Sequence, residues 1–374
     1  MLNSKLKDHY IFGEHLIDPA AKEQFFDCLA ADFSLRDALM ADAHLGYSLP
    51  IGGVMWTDGV VVPSFVGYDV GCGMQAVQTT FMADAVKAQA QGIYDMLKYE
   101  IPTGFRHHTW QTSVAKCPEV IRAAASATFQ DIYSKLDADL QLGTMGGNNH
   151  YIEVGIDNRD RVCFVVHSGS RGFGHRIATH YMKMAGGGKA KEGNYPLRFD
   201  SHDGQNYFHD MLALLAYAKL NRETLLGMVE ECMIRLGFCG RALWDTRIDT
   251  VHNYAEHVKD LQLIHRKGAT KVHTNRSSIV AGNPVAGTFI VSGNPDRPVS
   301  LDSVSHGMGR TGSRKEANLT ISDDMVLSQM GAVVGKIKRE EAPSAYKSVG
   351  DVMDAQADLL IIENQIHPVL CLKG

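Results

Sequence analysis

Nowhere in this chain does an apolar run reach the 18 or so residues that a bilayer-crossing helix needs. Its polar start, MLNSKLKDHY, has no signal-peptide core, so a cytoplasmic protein with no membrane contact is expected. Cysteine is sparse: seven residues, at 28, 72, 117, 163, 232, 239 and 371, an odd number without one CxxC pair. That argues against a disulfide scaffold and against a four-cysteine zinc module. The sequence also lacks GxxxxGK[ST], HExxH and any glycine pattern set in a clear βαβ unit. A P-loop, a zincin helix and a dinucleotide-binding fold are therefore not expected. Positive charge is not in excess, since 37 Lys and Arg face 42 Asp and Glu for a net charge of −5. This excludes a surface that holds nucleic acid by non-specific attraction, but not a local cationic channel.

What is present in quantity is glycine and histidine, 36 and 17 residues of 374. They gather in HLGYSLPIGG (44–53), VGYDVGCGM (66–74), LGTMGGNNHYIEV (142–154), HSGSRGFGH (167–175) and SHGMGRTGSR (305–314). Glycine at this density permits positive φ angles and close backbone approach, the means by which peptide N–H groups surround an anion. Each cluster also carries a His, Cys, Asp or Arg, which points to function beyond turn-making. Between the clusters, helical periodicity covers 19–31, 84–99, 118–138, 205–237 and 349–361. In 205–237, Met211, Leu212, Leu215, Leu225, Leu226, Val229 and Met233 form the expected core stripe. Arg222, Glu223, Glu230 and Glu231 are expected to face water, and Asn221 to divide the helix. Strand signals fall at 60–66, 151–155, 162–166, 271–273 and 287–292, and 183–194 reads as a surface loop. The mixed order suits one complex α/β domain most simply, with two domains also compatible, and 374 residues are enough to bury a core without staples.

Residue chemistry alone suggests one or two bound metal ions. Asp69 and Cys72 stand three apart in YDVGCG, where a sharp turn brings carboxylate and thiol to one point. His150 precedes the strand YIEV, His167 follows the run VCFVV, and His252 opens HNY. Zinc is the conventional partner of His and Cys, whereas the carboxylate and anion-binding loops favour Mn²⁺ equally. Arg171, Arg310 and Arg314 lie in polar turns where guanidinium forks match phosphate oxygens. Arg266 and Lys267 of HRKGAT read either as a further phosphate contact or as a solvated charge cluster. His306, among glycines, is a candidate nucleophile toward phosphorus, provided an acceptor orients its other ring nitrogen.

Taken together and in order, ADAHLGYSLPIGG, GYDVGCGM, GNNHYIEV, HSGSRG, HNY, HRKGAT and SHGMGRTGSR closely resemble the RtcB-type RNA-splicing ligases, over residues 42–374. The resemblance implies a single catalytic domain over 1–374, a mixed α+β fold with central mixed β-sheets and a Gly-rich metal and nucleotide cleft. It implies a ligase that joins RNA 3′-phosphate or 2′,3′-cyclic phosphate ends to 5′-hydroxyl ends with GTP and two Mn²⁺ ions. By motif, Asp69, Cys72 and His150 hold one ion, and Cys72, His167 and His252 the other. His306 carries GMP and Asp42 orients its ring. Asn149, Asn283, Met308 and Gly309 line the nucleotide site, Glu153, Tyr346 and Lys373 hold guanine, and Arg171, Arg310 and Arg314 contact phosphates. The partners implied are RNA and, for some members, an archease-type activator; a monomer is expected. Met308 and Gly312 depart from the family pattern, as does GNPVAG at 282–287, where Pro284 has no N–H to donate.

Overall fold

The computed structural model describes residues 9–188, 193–297 and 299–374. A seven-stranded sheet runs in spatial order Ser278–Ala281, Thr288–Gly293, Leu360–Lys373, Tyr151–Asp157, Val162–Ser168, Gly73–Gln78 and Ile248–Val251, antiparallel throughout. Its two central strands, Tyr151–Asp157 and Val162–Ser168, are buried at every position, which requires cover on both faces. Alternation divides the cover. Ile152, Val154, Phe164 and Val166 meet Leu225, Leu226 and Val229 of the long helix His202–Arg235. Tyr151, Cys163 and Val165 face Ile279, Ala317 and Ile321 on the other side.

A second sheet of five strands runs Tyr10–Ile11, Ser34–His44, Ile51–Asp58, Gln262–Lys267, Asn253–Lys259. Its first pair is parallel and the rest antiparallel. Asp42 rides on Ser34–His44. A two-stranded ribbon of Ala269–Lys271 with Ser303–Ser305 delivers His306 one residue beyond its end. The ribbon is tied to the five-stranded sheet where the Asp42 backbone N–H donates to Ser305 Oγ at 3.2 Å. The architecture is mixed α and β, as the sequence implies. Among the described residues no helix is long and apolar enough to cross a membrane.

Several elements differ from their sequence reading, each for an identifiable reason. Residues 60–66 form a strand only at Val60–Val61, after which Pro63 opens the one-turn helix Pro63–Val66, its fixed φ suiting a first turn. The 118–138 stretch is two helices, Glu119–Arg122 and Ala127–Lys135, because Ser126 caps the second by accepting from Phe129 N–H. Likewise 84–99 divides into Ala83–Ala88 and Ala90–Glu100, and the 349–361 helix stops at Asp354 before the strand begins at Leu360. The strand placed at 271–273 is Ala269–Lys271. Helix Arg171–Gly186 begins inside a glycine-rich segment and takes the first residues of the expected 183–194 loop; 189–192 lie outside the described residues.

The largest correction concerns the long helix. It is continuous from His202 to Arg235, with the Ser201 side chain accepting from Gly204 N–H at its start. Asn221 does not divide it. Instead its Oδ1 accepts from Gly143 N–H at 2.8 Å, and its Nδ2 donates to Thr144 O at 3.1 Å and Gly169 O at 3.2 Å. Arg222, expected in water, is fully buried. It donates to Gly71 O at 2.9 Å, Ser168 O at 3.1 Å and Asp249 Oδ1 at 2.9 Å. Leu212 is exposed and Leu215 only half-buried, so the core stripe is rotated from the one the periodicity suggests.

Removing the Arg222 guanidinium strands two buried carbonyls and the Asp249 carboxylate. Arg222→Ala is expected to lower unfolding free energy by about 3 kcal/mol. A fall in the urea midpoint at unchanged slope checks this, with the exposed Glu231→Ala as the near-neutral comparison.

Candidate metal and nucleotide site

Four imidazoles stand in a row. Ring centroids are 4.7 Å apart from His306 to His252, 5.1 Å from His252 to His167 and 5.1 Å from His167 to His150. Cys72 lies beside the row, its Sγ 3.2 Å from His150 Nε2 and 3.3 Å from His167 Nε2. His167 Nε2 is 3.3 Å from His252 Nε2, and Asp69 Oδ2 is 2.9 Å from His150 Nε2. Two donor groups result, Asp69–Cys72–His150 and Cys72–His167–His252, each with its ligand atoms within 4.8 Å. Nitrogen and sulfur donors around one ion at 2.0–2.3 Å stand about 3.3–3.6 Å apart in tetrahedral geometry. The residues therefore fit one cation per group, with Cys72 common to both.

Local backbone explains the convergence. Gly71 takes φ +75°, and Cys72 N–H donates back to Asp69 O at 3.0 Å, so the turn presents carboxylate and thiol together. His252 N–H donates to Cys72 O at 2.9 Å, which brings the edge strand's end to the same turn. A Cβ on Gly146 would lie 1.9 Å from His150 Nδ1, so only glycine admits that ring. Burial, with neighbouring imidazoles, holds His167 and His252 well below the usual histidine range, in the neutral form that ligates metal. Burial and the Asp69 carboxylate push the Cys72 thiol well up, so a cation binding there displaces a proton.

His306 and Asp42 come from segments far apart in sequence. His306 Nδ1 is 2.7 Å from Asp42 Oδ2, and Gly307 N–H donates to the same oxygen at 3.2 Å. Asp42 is fully buried. Burial works against its charge, but the His306 ring outweighs this and keeps the carboxyl below the usual range. A carboxylate at Nδ1 favours the Nδ1–H tautomer and leaves the Nε2 lone pair for chemistry. Lys347 Nζ steadies the strand by donating to Ala41 O at 3.0 Å and Ala43 O at 2.7 Å.

The row opens into a cleft of about 1620 Å³, larger than the 300–1,000 Å³ usual for one small ligand. Asn149, Glu153, Asn283, Met308, Gly309, Tyr346 and Lys373 line it, as do Arg171, Arg310 and Arg314. Sequence reasoning missed Glu341, which organises one wall. This buried carboxylate accepts from Lys373 Nζ at 2.7 Å, from Arg310 Nη1 at 3.2 Å and from Tyr346 OH, with Arg314 Nη2 at 3.6 Å. No motif marks it. Arg171 spends two donors on the protein, at Thr144 Oγ1 (2.9 Å) and Gly104 O (2.6 Å). The solvated reading of HRKGAT fails: Arg266 and Lys267 are both buried. Lys267 Nζ donates to Tyr47 O and Ser64 O, and burial lowers its pKa to about 7.

The site is a buried cluster of metal-type donors beside a carboxylate-oriented imidazole, in a cleft lined with arginine. The RtcB family, described as tRNA-splicing ligase RtcB, matches residues 32–374, and the chain belongs to it. It is 30% identical to the RNA-splicing ligase RtcB of Escherichia coli strain K12, over 96% of this chain and 95% of that protein. To the tRNA-splicing ligase RtcB of Thermococcus kodakarensis it is 27% identical, over 90% of this chain and 87% of the relative.

Glu153 offers a pH test. It is buried with Oε1 unpartnered among the described residues, and burial pushes its carboxyl up from 4.5 to about 8, partly offset by a hydrogen bond with Thr288. Between those values the folded chain keeps a proton that the unfolded chain has released. Stability is therefore full below about 4.5 and falls as pH rises toward about 8, by up to ~1.4 kcal/mol per unit. Glu153→Gln should remove this slope and overtake the parent as pH rises, which urea denaturation across a pH series would show.

Proposed function

We propose that this chain is a GTP- and Mn²⁺-dependent RNA ligase that joins 3′-phosphate or 2′,3′-cyclic phosphate ends to 5′-hydroxyl ends through a guanylylated His306. The observation that carries it is the Asp42–His306 pair at 2.7 Å, one ring removed from the Cys72 donor groups. A metal-dependent phosphatase or cyclic phosphodiesterase that works through metal-activated water, or a passive RNA-binding protein, needs no covalent nucleotide and hence no oriented imidazole nucleophile there.

In this reading Asp69, Cys72 and His150 hold one manganese ion, and Cys72, His167 and His252 the other. Bound there, the ions supply Lewis-acid neutralisation of phosphate charge. His306 Nε2 attacks the α-phosphorus of GTP, the bond to the β-phosphate oxygen breaks, and pyrophosphate leaves. Asp42 holds the Nδ1 proton and offsets the positive charge that the ring acquires. An RNA 3′-phosphate oxygen then attacks the phosphorus on His306, the P–N bond breaks, and GMP caps the RNA end. The 5′-hydroxyl of the second strand attacks the RNA phosphorus, loses its proton and expels GMP, leaving a 3′,5′-phosphodiester. A cyclic phosphate is first hydrolysed to the 3′-monophosphate.

Glu153, Tyr346 and Lys373 hold guanine, with Asn149, Asn283, Met308 and Gly309 around the rest of the nucleotide. Arg171, Arg310 and Arg314 face phosphates. Glu341 positions four of these groups at once. The same reading makes the chain a cytoplasmic, monomeric, single-domain enzyme for RNA repair or splicing, with an archease-type activator as accessory.

Incubation with α-labelled GTP and Mn²⁺ should give an acid-labile protein–GMP adduct, absent from His306→Ala. Asp42→Asn should keep the fold and reduce adduct formation by about a hundredfold or more, a hundredfold being the lower end of what an acid–base partner contributes. Joining confined to 3′-phosphate or cyclic ends with 5′-hydroxyl ends completes the test. An adduct that persists in His306→Ala would refute the assigned nucleophile.

A further inference from the structure

The cleft extends past the residues to which the proposed reaction gives a role. The histidine row begins at His306 and ends at His150, where Asp69 closes it. Beyond Asp69 stands Arg171, whose Nη2 donates to Gly104 O at 2.6 Å. Gly104 belongs to a tight turn, closed where Arg106 N–H donates to Thr103 O at 3.3 Å, with Gly104 itself at φ +68°. The turn is fastened below by Gly104 N–H to Met145 O at 3.0 Å and His108 N–H to Leu140 O at 3.0 Å. Its tip is Phe105, wholly exposed at 105% and part of the cleft lining.

A single exposed aromatic ring is ordinary on a protein surface; this one sits on a hydrogen-bonded turn and lines the cleft that holds the donor groups. The surroundings say what kind of partner suits it. Arg106 and Arg176 are exposed and line the same cleft, in a chain whose net charge is −5. A second aromatic group lines it too: Tyr47, 61% exposed, meets Tyr68 edge-on at 6.0 Å, and Tyr68 stacks on His175 at 4.7 Å and 16°. Aromatic faces interleaved with arginine are what unpaired bases and their phosphates require. A mononucleotide is the weaker match, because the groups proposed for guanine surround Tyr346 and Lys373.

We propose that Phe105 is a stacking platform for the unpaired base next to the reacting end of a single-stranded RNA, with Arg106 and Arg176 on the adjoining phosphates. This rests on the ligase reading for the identity of the polymer, but not for the contact itself. The platform sets the RNA at the Asp69–His150 end of the row while His306 works at the other. It also makes the enzyme prefer ends that are single-stranded over ends held in a duplex.

The test is equilibrium binding, without GTP, of a short single-stranded RNA ending in a 3′-phosphate and of its twin lacking the terminal or the penultimate base. Stacking is worth roughly 5- to 150-fold in affinity per base. The parent should lose that factor on one of the abasic twins, Phe105→Ala should bind intact and abasic RNA alike, and Phe105→Trp should restore the difference. A 2-aminopurine at the same position should be quenched by the parent and not by Phe105→Ala. A parent indifferent to both missing bases, or a factor that survives in Phe105→Ala, would overturn the proposal. Because Phe105 is fully exposed, its replacement leaves the fold intact. RNA that binds with the expected cycle but is never joined in GTP and Mn²⁺ would refute the ligase reading alone.

Discussion

The site depends on two adjacent residues in the middle of one helix. Asn221 and Arg222 are both buried, and between them they reach Gly71, Gly143, Thr144, Ser168, Gly169 and Asp249. Those positions flank Cys72, precede His150, follow His167 and lie on the strand before His252. Three loops and an edge strand that share no local sequence are thus registered against a single rigid rod. Glycine-rich backbone has little conformational preference of its own. The geometry of the donor groups therefore comes from these side chains and from the sheet behind them, not from the loops that carry the ligands.

A second constraint acts on the opposite wall. Glu341 is almost wholly buried, yet it stays charged: burial opposes ionisation, and Lys373 foremost among its partners prevails. It gathers Lys373 from the chain's last strand, Arg310 and Arg314 from the glycine-rich segment after His306, and Tyr346, the residue after Pro343–Ala345. One carboxylate thereby turns four separate side chains into a surface of fixed shape and net positive charge. Such a network also limits what each arginine can offer a ligand, because Arg310 has already committed its Nη1 and Nη2 donors to Glu341 and to Glu340 O.

Much of this was legible in the sequence, and the limits are instructive. Asp69, Cys72, His150, His167 and His252 each announce themselves by an unusual setting, a glycine turn or a strand end. The strand reading of 151–155 and 162–166 holds because YIEV alternates and VCFVV is a short apolar run rich in valine. Asp42 opposite His306 is a different matter, since 264 residues separate them and no local pattern couples one to the other. Arg222 and Glu341 were illegible for a shared reason. Charged residues are assigned to water unless paired, and their partners, Asp249 and Lys373, are brought near only by the finished fold. The helix at Arg171 escaped notice because two glycines in its first turn mask the apolar face formed by Phe173, Ile177, Ala178 and Tyr181.

The position of Cys72 has a further meaning. Its sulfur stands in both donor groups, whereas each histidine and the carboxylate stand in one. Chemical damage to any histidine would spare half of the centre, but a sulfenic or sulfinic acid at Cys72 would withdraw a donor from both halves together. Cys72 lines the cleft yet is only 2% exposed, so little of it meets solvent. Economy of ligands has concentrated the vulnerability of the whole centre in a single atom, and the depth of its burial is the protection that goes with it.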